Sequence, residues 1–75
     1  MQQKVRLSEY VNPDGVHLYP NWDDLEVGMS LFIPAVNLSK LNKQVQRIVD
    51  SKGWTIKQLD RIENGRLGVR VWRIL

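Results

Sequence analysis

The dipeptide Asn64-Gly65 and the residues after it constrain the fold more than any other part of the chain. Residues 66–75 alternate, with one side formed by Leu67, Val69, Val71 and Leu75 and the other by Arg66, Gly68, Arg70 and Trp72. An Asn-Gly pair beside an alternating segment is a strong signal for a hairpin turn. The strand after it needs a partner, and residues 54–63 are adjacent along the chain. The sequence therefore predicts a C-terminal β-hairpin over about residues 54–74, whose register it does not fix.

Residues 54–63 also carry helix signals, so an alternative remains open for this segment. Thr55 can act as an N-cap with Gln58 completing a capping box, and apolar residues recur every third position. Together with the helix before it, this segment would then form a helix-turn-helix. The β-branched and aromatic residues of the same segment favour a strand, which is the interpretation we prefer.

An amphipathic helix is predicted over about residues 38–52. Its apolar residues recur at helical spacing and are Leu38, Leu41, Val45, Ile48 and Val49. Asn37 suits the N-cap and Gly53 suits the position after the last turn. This is the clearest helix signal in the chain.

The N-terminal half predicts β structure before that helix. The turn sequence Asn12-Pro13-Asp14-Gly15 lies between two segments with strand character, so residues 4–19 are expected to form a β-hairpin. A single helical turn follows over 21–26, and then a short strand over 30–33 that Pro34 ends. The expected architecture is α+β, in one small domain spanning residues 1–75, with an antiparallel sheet packed on the helix.

Several classes of function have no support in the residues. The chain has no cysteine and one histidine, His17, and it has no glycine-rich phosphate loop. We therefore expect no catalytic residues, no metal, no cofactor and no enzymatic activity. The longest apolar run is too short to cross a bilayer, and residues 1–10 lack the apolar stretch of a signal peptide. A cytoplasmic location without a membrane partner is expected.

Charge divides the chain into two unlike halves. Residues 1–36 contain two basic and five acidic residues, whereas residues 37–75 contain nine basic and three acidic ones, for a net charge of +3 overall. A basic half can attract a polyanion by releasing its counterions. The alternative is that the two halves pack together and cancel.

Two segments resemble a family of small bacteriophage proteins. Residues 22–34 are similar to the family's "W-x-x-L-x-V-G-x-S-F-F-V-P" segment, and residues 63–73 resemble its closing "G-x-R-V-W-R" strand. The chain departs from the family at Leu31, where an aromatic residue is common, and in the many amides of its helix. The family is mostly unassigned in function, so the resemblance implies phage origin, a host-cytoplasm location and the terminal hairpin, but no activity.

Two functional hypotheses follow from the charges. The first is a non-enzymatic nucleic-acid-binding accessory protein of phage type, whose contacts would be Lys40, Lys43, Arg47, Lys57, Arg66, Arg70, Trp72 and Arg73. In that hypothesis Trp72 is exposed, although a place in the core is the alternative. The second is an anti-CRISPR-like inhibitor of a host protein or defence complex. Its acidic segment 9–26 would mimic nucleic acid through Tyr19, Trp22, Asp23, Asp24 and Glu26. A homo-oligomer formed through the C-terminal strand is a further expectation.

Overall fold

A computed structural model describes residues 9–75 of the chain. Its elements are a 3-10 helix (Trp22–Asp24), β1 (Ser30–Pro34), α1 (Leu38–Lys52), β2 (Ile56–Glu63) and β3 (Arg66–Arg73). The strands form an antiparallel sheet, and α1 packs on one side of it. The predicted α+β architecture is therefore confirmed at this level.

The order of strands in the sheet is β1-β3-β2, so the C-terminal strand lies in the centre. β3 pairs with β2 through the predicted hairpin, in which Glu63 lies opposite Arg66. Both turn residues are left-handed, with φ of 52° at Asn64 and 75° at Gly65, as a type I′ turn requires. The alternative of a helix over 54–63 is therefore wrong.

The central position of β3 removes the free strand edge on which the expected homo-oligomer depended. β3 is hydrogen-bonded to β1 on one side and to β2 on the other, so it has no free edge to offer a second copy. The outer edges of the sheet belong to β1 and β2. Pairing of two copies through the C-terminal strand would require one of its existing partners to leave.

Helix α1 has the bounds that its sequence predicts. The Asn37 side chain accepts a hydrogen bond from the backbone N–H of Lys40 at 3.1 Å, and Gly53 is left-handed with φ of 72°. These two residues are the N-cap and the helix stop. Among the described residues, no helix has both the length and the apolar character that a membrane crossing requires.

The core lies between α1 and the inner side of the sheet. Its buried residues come from the N-terminal segment, β1 and the residue after it, α1 and β3, and are Val11, Trp22, Leu25, Ile33, Ala35, Leu41, Val45, Ile48, Val49, Val69 and Val71. β2 contributes only the partly buried Ile56. Val69 and Val71 therefore lie on the inner side of β3 and belong to the core, whereas Arg70 and Trp72 face outward. Leu67 follows the same alternation but is exposed at the end of the strand.

The N-terminal hairpin predicted for residues 4–19 is only partly within the described chain. Residues 1–8 lie outside it, and the remainder makes one isolated bridge, between Val11 and Leu18. The predicted turn is present, because the N–H of Gly15 donates to the carbonyl of Asn12 at 3.1 Å and Gly15 has a φ of 86°. The segment packs against the core through Val11, which is fully buried.

Candidate nucleic-acid interface

The outer side of the sheet is the surface on which the chain gathers aromatic and basic side chains. We call it the open face, because α1, the one α-helix within residues 9–75, lies on the other side. Strand pairing and alternation place on it Ser30, Phe32 and Pro34 of β1, Lys57, Leu59, Arg61 and Glu63 of β2, and Arg66, Gly68, Arg70 and Trp72 of β3.

Two aromatic rings lie on neighbouring strands of the open face. Phe32 is paired with Arg70, and Trp72 is paired with Ser30, so the two rings are diagonal neighbours about 7–8 Å apart at their backbones. The Phe32 ring lies against Gly68, where a Cβ atom would come within 2.6 Å of its Cζ atom. Phe32 and Trp72 are half-buried, and each of them lines a recess at the surface.

Arg70 ties the three strands together across this face. Its Nε and Nη2 donate to the two carboxylate oxygens of Glu63 at 2.7 and 2.5 Å, and its Nη1 donates to Oγ of Ser30 at 2.8 Å. The hydrogen bond from Arg70 lowers the pKa of Glu63, and the same contact raises the pKa of Arg70. All three side-chain nitrogens of Arg70, which the sequence predicted to bind nucleic acid, are thus hydrogen-bonded within the fold. Arg70 therefore holds the strands of the open face in place.

Three further cations on the open face are more available. The ammonium of Lys57 lies 5.9 Å from the centroid of the Trp72 ring. Arg61 has 45% of its side chain exposed and makes one contact with Glu63 at 3.5 Å. Arg66 is exposed at the hairpin tip and has no ion-pair partner within the part of the chain that the structure describes. A single carboxylate, Glu63, opposes these charges on the open face.

The predicted helix cations lie on the opposite side of the molecule. Lys40, Lys43 and Arg47 are exposed on the side of α1 that faces away from its buried residues. None of the three has an ion-pair partner among residues 9–75. The structure thus places them on α1, on the side of the sheet opposite Trp72.

The strand register places Arg73 on the inner side of β3, opposite Ile56. Its guanidinium lies 3.9 Å from the centroid of the Trp54 ring and donates from Nη1 to the carbonyl of Leu25 at 3.0 Å. This contact holds the end of the 3-10 turn against the last strand. Of the eight residues predicted to bind nucleic acid, the open face contains four, which are Lys57, Arg66, Arg70 and Trp72.

Sequence reasoning missed Phe32 and Arg61. Phe32 becomes a candidate only when the strand register is known, because the register places it opposite Arg70. The register also places Arg61 on the open face, opposite Gly68. The alternation of β2 carried the signal for Arg61, since Lys57, Leu59 and Arg61 are two residues apart. Because residues 54–63 could be assigned as a strand or as a helix, this alternation was not used to identify Arg61.

The acidic segment proposed for the inhibitor hypothesis is partly used by the fold. Trp22 is 2% exposed and donates from its indole nitrogen to the carbonyl of Glu9 at 2.8 Å, so it is not a surface contact. The Glu9 carboxylate lies 2.7 Å from the ammonium of Lys52. The side chains that remain at the surface are those of Tyr19, Asp23, Asp24 and Glu26.

Asp14 joins the N-terminal turn to the start of α1. Its two carboxylate oxygens accept the backbone N–H groups of Val36 and Asn37, each at 2.9 Å. These hydrogen bonds, that of Val36 first, lower the pKa of Asp14. Asp14 is therefore bound to the fold and is not part of a free acidic surface.

Nothing outside the chain identifies the site. Comparison with protein-family models, with curated proteins and with solved structures finds no match. The resemblance to phage proteins stays a prediction, as does the location that it implies. Within residues 9–75, no group of three or more histidine, cysteine, aspartate or glutamate side chains could hold a metal ion.

Proposed function

We propose that this chain is a non-enzymatic protein that binds single-stranded nucleic acid across the open face. One observation carries the proposal: the side of the sheet opposite α1 presents Phe32 and Trp72 on adjacent strands, beside the cations Lys57, Arg61 and Arg66. A surface of this composition supplies both of the contacts that unpaired nucleotides offer, namely the flat face of a base and the charge of a phosphate.

The aromatic rings are the reason for proposing a single strand. Bases within a duplex are stacked on one another, so their faces are not available to Phe32 or Trp72. A single strand can place successive bases on the two rings, and each such stacking contact is worth about 1–3 kcal/mol. The cations then contact the phosphates between the bases.

Arg70 supports this surface from within. Because it is hydrogen-bonded to both β1 and β2, it fixes how those strands are placed on either side of β3. Its guanidinium lies 5.7 Å from the centroid of the Phe32 ring, within the range of a cation–π contact. A ring that is already held in place loses little conformational entropy when a base stacks on it.

The inhibitor hypothesis has less support. Two of its acidic residues, Glu9 and Asp14, hold the fold together, and Trp22 is in the core. What remains is a small acidic surface around the 3-10 turn. We keep it as the surface to test if the open face proves inactive.

Fluorescence anisotropy with labelled oligonucleotides tests the proposal. Single-stranded DNA and RNA of about eight nucleotides are compared with a duplex of the same sequence, at low and at physiological salt. We expect salt-sensitive binding that favours the single strand by about tenfold or more. Phe32→Leu should weaken that binding about fivefold or more, whereas Tyr10→Leu, which removes a ring that contacts His17 and is not on the open face, should not.

Two results would overturn the proposal. One is the absence of binding to every oligonucleotide at low salt, which would turn attention to the acidic surface and to a protein target. The other is binding that Phe32→Leu and Tyr10→Leu weaken equally, because the open face would then have no special part in it.

A further inference from the structure

A recess of about 240 Å³ lies beside Trp72 at one end of the open face. It is lined by Gly28, Lys57, Trp72, Arg73 and Ile74. The chain closes this end of the sheet through backbone contacts, because the N–H of Gly28 donates to the carbonyl of Arg73 at 2.8 Å. Gly28 has a φ of 89°, which favours glycine, so the rim of the recess carries no side chain at that point.

The residues that line the recess are suited to binding a ligand that is small, flat and negatively charged. The Trp72 indole offers a stacking surface, Ile74 adds an aliphatic wall, and the Lys57 ammonium lies near the ring. No carboxylate is among the residues that line it. The volume is below the roughly 300–1,000 Å³ of sites for drug-sized molecules, so it suits one ring system and not a larger cofactor.

We infer that this recess is a subsite for one nucleotide, whose base stacks on Trp72 and whose phosphate contacts Lys57. The inference rests on the proposed function, since it assigns the recess to one nucleotide of the bound strand. Lys57 is placed for this role because its ammonium is 5.9 Å from the ring centroid. At that distance the ammonium lies at the limit of a cation–π contact. Lys57 therefore loses little interaction energy with the Trp72 ring when its ammonium turns toward a phosphate.

The recess also fixes where the rest of the strand would lie. Trp72 is at the end of the open face, and Phe32 is its diagonal neighbour toward the middle. A strand anchored at Trp72 would therefore extend toward Phe32 and the cations Arg61 and Arg66. The subsite makes a prediction that general binding to the face does not make, namely that a single nucleotide suffices to occupy it.

Nuclear magnetic resonance of the full chain with thymidine monophosphate tests this inference. The chain has three tryptophans, and each gives one indole N–H signal. We expect millimolar monophosphate to shift the signal of Trp72 together with the amides of Lys57 and Ile74. The signal of Trp22, which is in the core, should not move.

Variants separate the roles of the ring and of the ammonium. Trp72→Leu should weaken monophosphate binding about tenfold or more, and Tyr19→Leu, which changes an exposed ring that does not line the recess, should leave it within about twofold. Thymidine without its phosphate should bind the wild-type chain several-fold more weakly than the monophosphate. Lys57→Gln should remove that difference. The chemical-shift changes of the wild-type chain test the inference independently, even if a variant fails to fold.

The outcomes distinguish this inference from the proposed function. If an oligothymidylate binds the open face but the monophosphate leaves the Trp72 signal in place, the subsite is overturned and the proposed function stands. A monophosphate that shifts Trp54 and not Trp72 would also overturn it. If neither molecule binds, both proposals fail.

Discussion

The carboxylate of Glu63, at the end of β2, is paired through both oxygens with the guanidinium of Arg70 in the middle of β3. The two hydrogen bonds are 2.7 and 2.5 Å long, and the same guanidinium reaches Ser30 in β1 at 2.8 Å. A fork of this kind is also the geometry in which arginine binds phosphate. Glu63 therefore has two effects on the open face: it orders Arg70, and it competes with a phosphate for the same donors.

Glu63→Gln should raise the affinity for single-stranded nucleic acid. The substitution keeps the size of the side chain, removes the one carboxylate of the open face and releases charge at Arg70 and Arg61. We expect binding to tighten about three- to tenfold at low salt, or roughly 0.7–1.4 kcal/mol. Anisotropy titration measures the change. Glu26→Gln, which removes an exposed carboxylate elsewhere, is the matched control, and an equal gain in that variant would attribute the effect to net charge alone.

Stability should fall in acid because two carboxylates are held in their charged form. The pKa of Glu63 is lowered by its hydrogen bond from Arg70, and that of Asp14 by the backbone N–H groups of Val36 and Asn37. A lowered pKa means that the stabilisation is present above the ordinary value and is lost as pH falls through the folded value. We expect the melting temperature to drop below about pH 4. Asp14→Asn should melt below the wild type at neutral pH, and the two should converge in acid. A gap that stays constant with pH would show that the charge of Asp14 is not involved.

Gly68→Ala should disrupt the contact between β1 and β3. An added Cβ would lie 2.6 Å from Cζ of Phe32 and 2.8 Å from Cα of Pro34, and the second of these is backbone that cannot turn aside. Overpacking of this kind costs about 1–3 kcal/mol, which urea unfolding would measure. Leu59→Ala, on the same face but 46% exposed, should cost less than about 1 kcal/mol. If Gly68→Ala were as stable as wild type, β1 would not pack on β3 as described.

The salt dependence of binding should report how many cations contact phosphates. With Lys57, Arg61 and Arg66 each neutralising one phosphate, the slope of log K against log salt should be about −2 for a single strand. Arg66→Gln should reduce the magnitude of that slope by about 0.7, and Lys43→Gln, on the helix, should leave it unchanged. A slope near zero would exclude phosphate contacts from the interaction.

The parts of the fold that local chemistry specifies could be predicted from the sequence. Asn37 and Gly53 set the ends of α1, and Asn64-Gly65 sets the turn between β2 and β3. Each of these is decided by residues within a few positions of one another. The alternation of β3 also predicted correctly which of its side chains face outward, since Val69 and Val71 are buried while Arg70 and Trp72 are not.

The order of the strands could not be predicted, because it depends on contacts between distant parts of the chain. β1 pairs with β3 although α1 and β2 lie between them in the sequence. No local signal indicates on which side of β3 the strand β1 pairs. The candidate site depended on that order, since it placed Phe32 beside Arg70 and put the cations of α1 on the opposite side. Trp22 was misplaced for a related reason: its segment is too short for a periodic pattern to show which residues are buried.

The most direct test of the open face compares charge reversal on the two sides of the sheet. Arg61→Glu with Arg66→Glu changes the open face, and Lys43→Glu with Arg47→Glu makes the same change of charge on α1. Both pairs are titrated with labelled single-stranded DNA, with circular dichroism to show that each variant is folded. We predict that the open-face pair weakens binding at least about tenfold and the helix pair less than about threefold. An equal loss in both, or a greater loss in the helix pair, would contradict the account.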